Sequence, residues 1–368
     1  MTQEHFVTCS LCEAMCGLRV TTNRDRVEEI RGDEADPLSR GHLCPKAVAL
    51  KDLHEDPNRL RQPMRRVGDA WKEVTWDEAL EEVATRIHDT QSKYGRNAVG
   101  MYIGNPTVHN TGAVMFAPAL LSALRSRNRF SATSCDQLPH MLASYWMFGH
   151  QALFAVPDID RTDCMLIIGG NPLVSNGSLM SAPGVEKRLE SIKARGGRVI
   201  VLDPRRTETA RIATEHHFVR PGRDVFFLIG LLQRLLEKGP RLRQLETRIK
   251  HLDTLRNAVF SVPLSRCAEL SGVSAETIDA IATAFYNAKS AVCYGRLGAH
   301  TQEFGGLNAW LIHAINIVSG NLDRPGGAMF PTPAIDLTKE IAGMGLGAGS
   351  YGRWTSRVRG LPEFGGEL

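Results

Sequence analysis

No hydrophobic run in this chain is long enough to span a bilayer. The longest apolar stretch near a helix, Val225 to Leu236, carries Gln233 and Arg234. The N-terminus, Met1-Thr2-Gln3-Glu4-His5, has no basic region, no apolar core and no twin arginine, which argues against secretion and for a cytoplasmic location. Neither sign of charge dominates: 44 Lys and Arg against 40 Asp and Glu leave a net charge of +4, and no basic block stands out. A nucleic-acid partner therefore has no support. There is no internal repeat and no low-complexity segment. No G-x-G-x-x-G fingerprint is present, so an ordinary NAD-binding Rossmann domain is disfavoured. Eight cysteines in 368 residues are too few for a disulfide scaffold. What remains is ordinary globular chemistry, 43% hydrophobic and 23% charged, with length for two or three domains.

The cysteines are few but clustered. Cys9, Cys12 and Cys16 fall within eight residues, and Cys44 follows after a gap of twenty-seven, succeeded by Pro45 and Lys46. This C-x2-C-x3-C-x27-C spacing puts three thiolates on one tight loop and returns the fourth from a neighbouring segment. A [4Fe-4S] cubane needs one thiolate for each of its four irons, and the spacing suits it. Structural zinc also takes four cysteines, but zinc ribbons usually use two C-x2-C knuckles. Between the ligands, Leu18-Arg-Val-Thr-Thr and Val27-Glu-Glu-Ile-Arg-Gly32-Asp33 predict a small antiparallel sheet. Lys46, two residues past a ligand, is placed to couple electrostatically to a neighbouring cofactor.

From Trp76 onward helical and strand signals alternate. Trp76-Asp77-Glu78-Ala79-Leu80 opens an amphipathic helix with an acidic first turn. Apolar runs recur at Val99 to Ile103, Met165 to Ile168, Val199 to Leu202 and Ala291 to Tyr294, most of them separated by helix-length segments. That rhythm predicts a parallel α/β sheet. Each run ends in turn-formers: Gly104-Asn105-Pro106, Gly169-Gly170-Asn171-Pro172, Asp203-Pro204-Arg205-Arg206 and Gly295-Arg296-Leu297-Gly298. Pro221-Gly222-Arg223-Asp224 ends another extended stretch. Ligands of doubly wound sheets bind at the carboxyl ends of strands, where glycines admit a phosphate and helix N-termini offer unpaired N–H groups. One such loop is only a loop; five together suggest a large nucleotide ligand. The glycine-rich stretch Gly343 to Gly349 reads as a loop.

In combination these motifs resemble the molybdenum or tungsten bis-molybdopterin-guanine-dinucleotide oxidoreductases, the dimethyl-sulfoxide-reductase superfamily, which includes formate dehydrogenases, nitrate reductases and acetylene hydratase. The cysteine set with Pro45-Lys46, the Val74-Thr-Trp-Asp-Glu-Ala-Leu80 segment, Gly169-Gly-Asn-Pro172, Leu202-Asp-Pro-Arg-Arg-Thr207, Arg220-Pro-Gly-Arg-Asp224 and Ser319-Gly-Asn-Leu322 with Arg324-Pro-Gly-Gly327 carry the resemblance. It implies an α/β fold with a [4Fe-4S] domain at 1–56, a discontinuous α/β domain at 57–130 and 310–368, and a doubly wound, Rossmann-like dinucleotide-binding domain at 131–309. The family's C-terminal β-barrel domain has no counterpart before Phe364-Gly-Gly-Glu-Leu368, which implies a partial chain or one with a C-terminal partner. The implied cofactors are the [4Fe-4S] cluster, bis-molybdopterin guanine dinucleotide and molybdenum or tungsten. Gly169, Asn171, Asp203, Arg205, Thr207, Gly222 and Asp224 are the implied dinucleotide contacts, and Lys46 is placed between cluster and pterin.

The family's protein ligand to the metal lies at the start of the nucleotide-binding domain, where this chain reads Ser131-Ala-Thr-Ser-Cys135-Asp136-Gln137-Leu-Pro-His140. Cys135 offers a soft thiolate, and Asp136 is the rival ligand. Cys164, Cys267 and Cys293, in apolar or helical contexts, read as structural. His140, His109 and His300 are candidate proton carriers, His140 foremost, because histidine titrates near neutral pH. Formate dehydrogenases carry a His after the metal ligand and an Arg shortly before the T-G-N segment. The matching places here are Asp136 and Trp310, so a formate-type and a nitrate-type small substrate both stay open. Electrons would leave through the pterin and cluster to a ferredoxin- or flavoprotein-type acceptor. The contrasting readings are a non-catalytic iron–sulfur electron-transfer or assembly subunit on the same fold, and a zinc-stabilised binding protein.

Overall fold

The computed structural model describes residues 1–333, 336, 338–339, 348–356 and 358–364. Residues 343–347 of the glycine-rich stretch and the terminal 365–368 lie outside them. The chain divides into two compact units, Met1–Ala132 and Thr133–Leu368.

In the first unit, β1 (Thr2–Thr8), β2 (Gly17–Asn23) and β3 (Arg26–Gly32) form an antiparallel sheet in that order. The predicted pairing of the segments around Leu18 and Val27 is β2 with β3. β1 went unpredicted because all seven of its residues are exposed, so no apolar alternation marks it. Gly32 lets the chain fold back on itself: a Cβ there would sit 2.2 Å from the Gly41 carbonyl oxygen. Two short helices follow, α1 (Pro45–Val48) and α2 (Leu50–Glu55), then the hairpin of β4 (Met64–Val67) and β5 (Ala70–Glu73).

The helix predicted from Trp76 is α3 (Trp76–Tyr94). Its start is fixed by a capping box: Thr75 Oγ1 accepts from the Glu78 N–H at 3.2 Å and Glu78 Oε2 accepts from the Thr75 N–H at 2.8 Å. A small parallel β-α-β unit closes this half, with β6 (Met101–Ile103), α4 (Thr111–Leu124) and β7 (Arg129–Ser131). The Val99–Ile103 run thus belongs to a separate two-stranded sheet, because its sequence neighbour β7 supplies the partner.

The second unit begins with α5 (Leu138–Phe148) and the short strand β8 (Val156–Pro157). Then come β9 (Cys164–Ile168), α6 (Pro172–Ser175), α7 (Val185–Ala194), β10 (Arg198–Leu202), α8 (Glu208–Ile212) and β11 (Glu215–His217). Four helices lead to the next strand: α9 (Asp224–Glu237), α10 (Leu252–Phe260), α11 (Leu264–Ser271) and α12 (Ala275–Asn287). The unit closes with β12 (Ala291–Gly295), α13 (Leu297–His300), α14 (Gly305–Val318), β13 (Ala328–Met329), β14 (Tyr351–Thr355) and β15 (Pro362–Phe364).

The main sheet is wholly parallel, in the order β11-β10-β9-β12. The chain builds outward from β9 to β11, then crosses back to lay β12 on the other side of β9. That reversal is the switch point of a doubly wound sheet, the place where such folds open a crevice for ligands. Both faces are buried, as a parallel sheet requires. Leu166, Ile168, Ile200, Leu202 and Cys293 pack under α9, α12 and α14 on one face, and Met165, Ile167, Val199, Val201 and Val292 under α7 on the other. α14, which includes Trp310, packs against α5, α9 and β12 of this unit.

Candidate cluster cradle and dinucleotide crevice

The four N-terminal cysteines come together. Cys9 and Cys16 are buried and Cys12 and Cys44 half-buried, all within one small core with Ala14, Leu18 and Ala47. The loop closes where the Cys9 N–H donates to the Cys16 carbonyl at 2.8 Å. Burial raises the Cys9 thiol above its ordinary range, with Cys12 and Cys44 adding to the rise, and pushes the Cys16 thiol up to about 11, with Cys9, Cys12 and Cys44 adding to it. Lys46 draws the Cys9 thiol the other way, so its charge is felt within the cradle. Among the described residues no three His, Cys, Asp or Glu side chains converge where one ion would sit. Four neighbouring thiols in one small core fit a group that gives each cysteine its own metal atom.

The strand-end loops converge at the switch point of the second unit. Gly169, with φ of +55°, lies so close to the loop after β12 that a Cβ would stand 2.5 Å from the Ala299 nitrogen. Gly169→Ala is therefore expected to cost about 1–3 kcal/mol of stability in a urea titration, because backbone strain and clash coincide. Asn171 ties its loop to α8: Nδ2 donates to Glu208 Oε2 at 2.6 Å, while Oδ1 accepts from the Thr209 hydroxyl at 2.8 Å. Thr207 caps α8, accepting from the Ala210 N–H at 3.1 Å. The Arg205 N–H donates to Asp203 Oδ1 at 2.8 Å, and the Arg205 guanidinium reaches Glu208.

Asp203 and Asp224 are mutual electrostatic neighbours. Burial raises both carboxyls above the ordinary range, and Asp203 adds to the rise of Asp224. Gln302 Nε2 donates to Asp224 Oδ2 and to the Gly298 carbonyl, both at 2.8 Å. Its Oε1 is buried without a protein partner and would lie 3.6 Å from a Cβ on Gly222, whose φ is +71°. Gln302 carried no motif and was missed in the sequence. The crevice thus offers two glycines with positive φ, two half-to-fully buried carboxylates and an unanswered buried amide oxygen. Such a donor and acceptor set fits a purine nucleotide with its phosphates. The Ser319-Gly-Asn-Leu322 segment lies at the opposite end of the sheet, where Asn321 Oδ1 accepts from the N–H of Ala291, the first residue of β12.

Cys135 ends a single 3-10 turn, Ala132–Cys135, and is exposed. The next two residues are held by Arg296, the residue that follows β12. Arg296, 7% exposed, places Nη2 2.8 Å from Asp136 Oδ1, an ion pair too bent to be a good hydrogen bond. Its Nη1 donates to Gln137 Oε1 at 2.5 Å and its Nε to the Ser178 hydroxyl at 2.7 Å. His140 and His300 are brought together, with ring centroids 5.4 Å apart, and His313, missed in the sequence, lies 5.0 Å from His140. Burial holds all three far below the ordinary range, His300 at about 3 and His313 at about 4, with Arg296 beside His140 and His300 reinforcing it. His109 belongs to the first unit, where its ring lies 3.4 Å from the Asn105 amide. Cys164 and Cys293 are buried in the core that lies against α9, and Cys267 is buried on α11, close to Gly230 of α9.

Residues 59–352 match the family model for molybdopterin oxidoreductases, and residues 6–54 match the molybdopterin oxidoreductase Fe4S4 domain. The chain belongs to the molybdopterin oxidoreductase family. Among curated relatives, formate dehydrogenase H of Escherichia coli is 26% identical over 93% of this chain and 48% of its own length. The periplasmic nitrate reductase of Desulfovibrio desulfuricans is 26% identical over 88% of this chain and 44% of its own. The chain therefore spans a little under half the length of the relatives it matches. Acetylene hydratase from Pelobacter acetylenicus shares the fold, with a TM-score of 0.73 over 86% of this chain and 43% of that one at 21% identity. These molybdopterin oxidoreductase domains imply a [4Fe-4S] cluster and a molybdopterin cofactor with molybdenum or tungsten. No helix among the described residues is long and apolar enough to cross a membrane.

Proposed function

We propose that this chain is the cluster- and dinucleotide-holding part of a molybdenum or tungsten bis-molybdopterin-guanine-dinucleotide oxidoreductase acting on a small substrate of formate or nitrate type. Electrons pass between that substrate and the [4Fe-4S] cluster, and onward to a ferredoxin- or flavoprotein-type partner in the cytoplasm. The carrying observation is the pairing of a four-thiol cradle with a switch-point crevice in one family chain. When bound, the pterin-held metal supplies the redox step and the cluster the one-electron exit. The chain's own part is to bind and orient. Gly169 and Gly222 bring backbone close to the dinucleotide, Asp203, Asp224 and Gln302 supply its hydrogen-bond partners, and Asn171, Thr207 and Arg205 hold the loops that carry them. Lys46 acts on the cluster side by its charge.

Cys135 is the favoured metal ligand, because Asp136 is already engaged by Arg296. That engagement also removes Arg296 from service as a carboxylate clamp. Neither Asp136 nor Trp310 supplies one, so a nitrate-type substrate stands level with formate.

The deciding experiment is metal analysis of anaerobically purified protein, alone and co-expressed with a candidate partner, followed by a substrate screen with a dye acceptor. Four irons with one molybdenum or tungsten per chain are expected. Four irons without a second metal in either preparation would favour the electron-transfer subunit, and zinc with negligible iron would overturn the reading. In the active preparation Cys135→Ala is expected to reduce turnover to background. Asp136→Asn keeps about a tenth or more, since a weakened ion pair of this exposure costs about 1 kcal/mol.

A further inference from the structure

The loop that carries Cys135 is tethered to the interior by a chain of hydrogen bonds whose polarity can be read without ambiguity. Arginine has donors only, so the Gln137 oxygen must be the atom facing Arg296 Nη1. The amide nitrogen of Gln137 is then left facing His140 Nδ1 at 3.3 Å, and it can only donate. His140 must accept at Nδ1, which places its proton on Nε2 and keeps the ring neutral. Its surroundings enforce the same state. The ring is 5% exposed and walled by Phe154, His300 and His313 at centroid distances of 5.2, 5.4 and 5.0 Å. Burial, the imidazoles of His313 and His300 and the Arg296 cation all disfavour a charged His140 ring, and Asp136 pairs with that cation from the loop side. His300 Nδ1 and His313 Nε2 have no protein hydrogen-bond partner.

We propose that His140 is a positioning residue: as a fixed neutral acceptor for Gln137, within a buried cluster of three imidazoles, it locks the Cys135–Gln137 loop against Arg296. The inference rests on the reading of Cys135 as the metal ligand for its functional meaning, but not for its geometry. Removing the acceptor leaves the Gln137 NH2 group buried without a partner, and protonating Nδ1 sets two donors face to face. Either way the loop loses its anchor on the imidazole cluster and keeps only the contacts of Asp136 and Gln137 with Arg296.

Amide hydrogen exchange on the full chain, with the peptide spanning 133–141 as readout, tests this. His140→Leu keeps the bulk and removes the acceptor, while His140→Asn puts an acceptor oxygen near the former Nδ1. We expect His140→Leu to accelerate exchange in this peptide about tenfold, the worth of one buried hydrogen bond, with β9, β10 and β12 unchanged. His140→Asn should return the rate towards wild type. Gln137→Met, at a half-buried position, should reproduce the loosening if His140→Leu does not fold. Equal exchange in the Leu and Asn variants, or wild-type exchange in Gln137→Met, would overturn the proposal. Metal content of the wild-type chain is read separately: absent metal with loosened variants removes the ligand reading alone, and bound metal with unchanged exchange removes the lock alone.

Discussion

Cys16→Ser should reduce the iron content of the anaerobically purified chain from four per chain to less than about one and bleach its brown colour. The reason lies in how the first unit is built. The core around the cradle consists of Cys9, Ala14, Cys16, Leu18 and Ala47, with Cys12 and Cys44 at its edge, so the ligands themselves are much of the packed surface. Cys16 is its most strongly perturbed thiol, pushed up to about 11 by burial and by the three other cysteines. Without iron, burial and the neighbouring cysteines hold Cys9 and Cys16 as thiols. With iron, each thiolate is neutralised by its own metal atom, and binding energy becomes folding energy. Serine matches the shape but is a poor ligand for iron. Limited proteolysis should accordingly cut the variant within 1–56 while leaving the second unit intact. Cys267→Ser separates ligation from burial, since Cys267 is fully buried in the second unit, in the pocket that Leu264 and Ile278 form around Gly230. It should lose stability and keep its iron. An iron content near four in the Cys16 variant would remove that residue from the ligand set.

The sequence was most informative where chemistry imposes spacing. Four cysteines at C-x2-C-x3-C-x27-C must converge if they share a cluster, and they do. The strand-end turn-formers were legible for a similar reason: Gly169 can be only glycine where a Cβ would meet the Ala299 backbone. Three of the four apolar runs became neighbours in one parallel sheet, because a strand buried on both faces has to be continuously apolar. What stayed hidden was set by tertiary contact. β1 is exposed along its length and exists through its pairing with β2, which no local pattern announces. His313 lies in the middle of α14 and reads as an ordinary helical residue until the fold sets it against His140. Gln302 belongs to no motif, yet it bridges Asp224 and the loop after β12. Arg296 was visible only as a turn residue. Its role as the anchor of Asp136, Gln137 and Ser178 depends on segments more than a hundred positions away. Sequence reading marked the groups proposed to touch a ligand, and the structure was needed for those that hold the loops carrying them.

Acid should destabilise the second unit steeply between about pH 6.5 and pH 4, and the three buried imidazoles are the cause. In the unfolded chain a histidine binds a proton near pH 6.5. In the folded chain His300 does so at about 3 and His313 at about 4, and His140 is also held well below its ordinary range by burial. The folded-state values are depressed, so the native advantage is complete above about pH 6.5. It shrinks as the pH falls, because the unfolded state gains protons that the native state refuses. At pH 5 each such group lowers stability by roughly 2 kcal/mol, so His300 and His313 together remove about 4 kcal/mol and His140 adds to the loss. That is a large part of the 5–15 kcal/mol available to an ordinary domain. Arg296 deepens the effect for His140 and His300. Asp203 and Asp224, whose carboxyls are raised by burial, titrate in the opposite sense and soften the fall. Urea unfolding followed from pH 7.5 to pH 4.5 by tryptophan fluorescence measures the slope. His313→Leu should flatten it by close to one proton, about 1.4 kcal/mol per pH unit, whatever it does to stability at neutral pH. A slope unchanged by that substitution would mean that His313 is not titrating on unfolding, and the acid sensitivity would have to come from elsewhere in the chain.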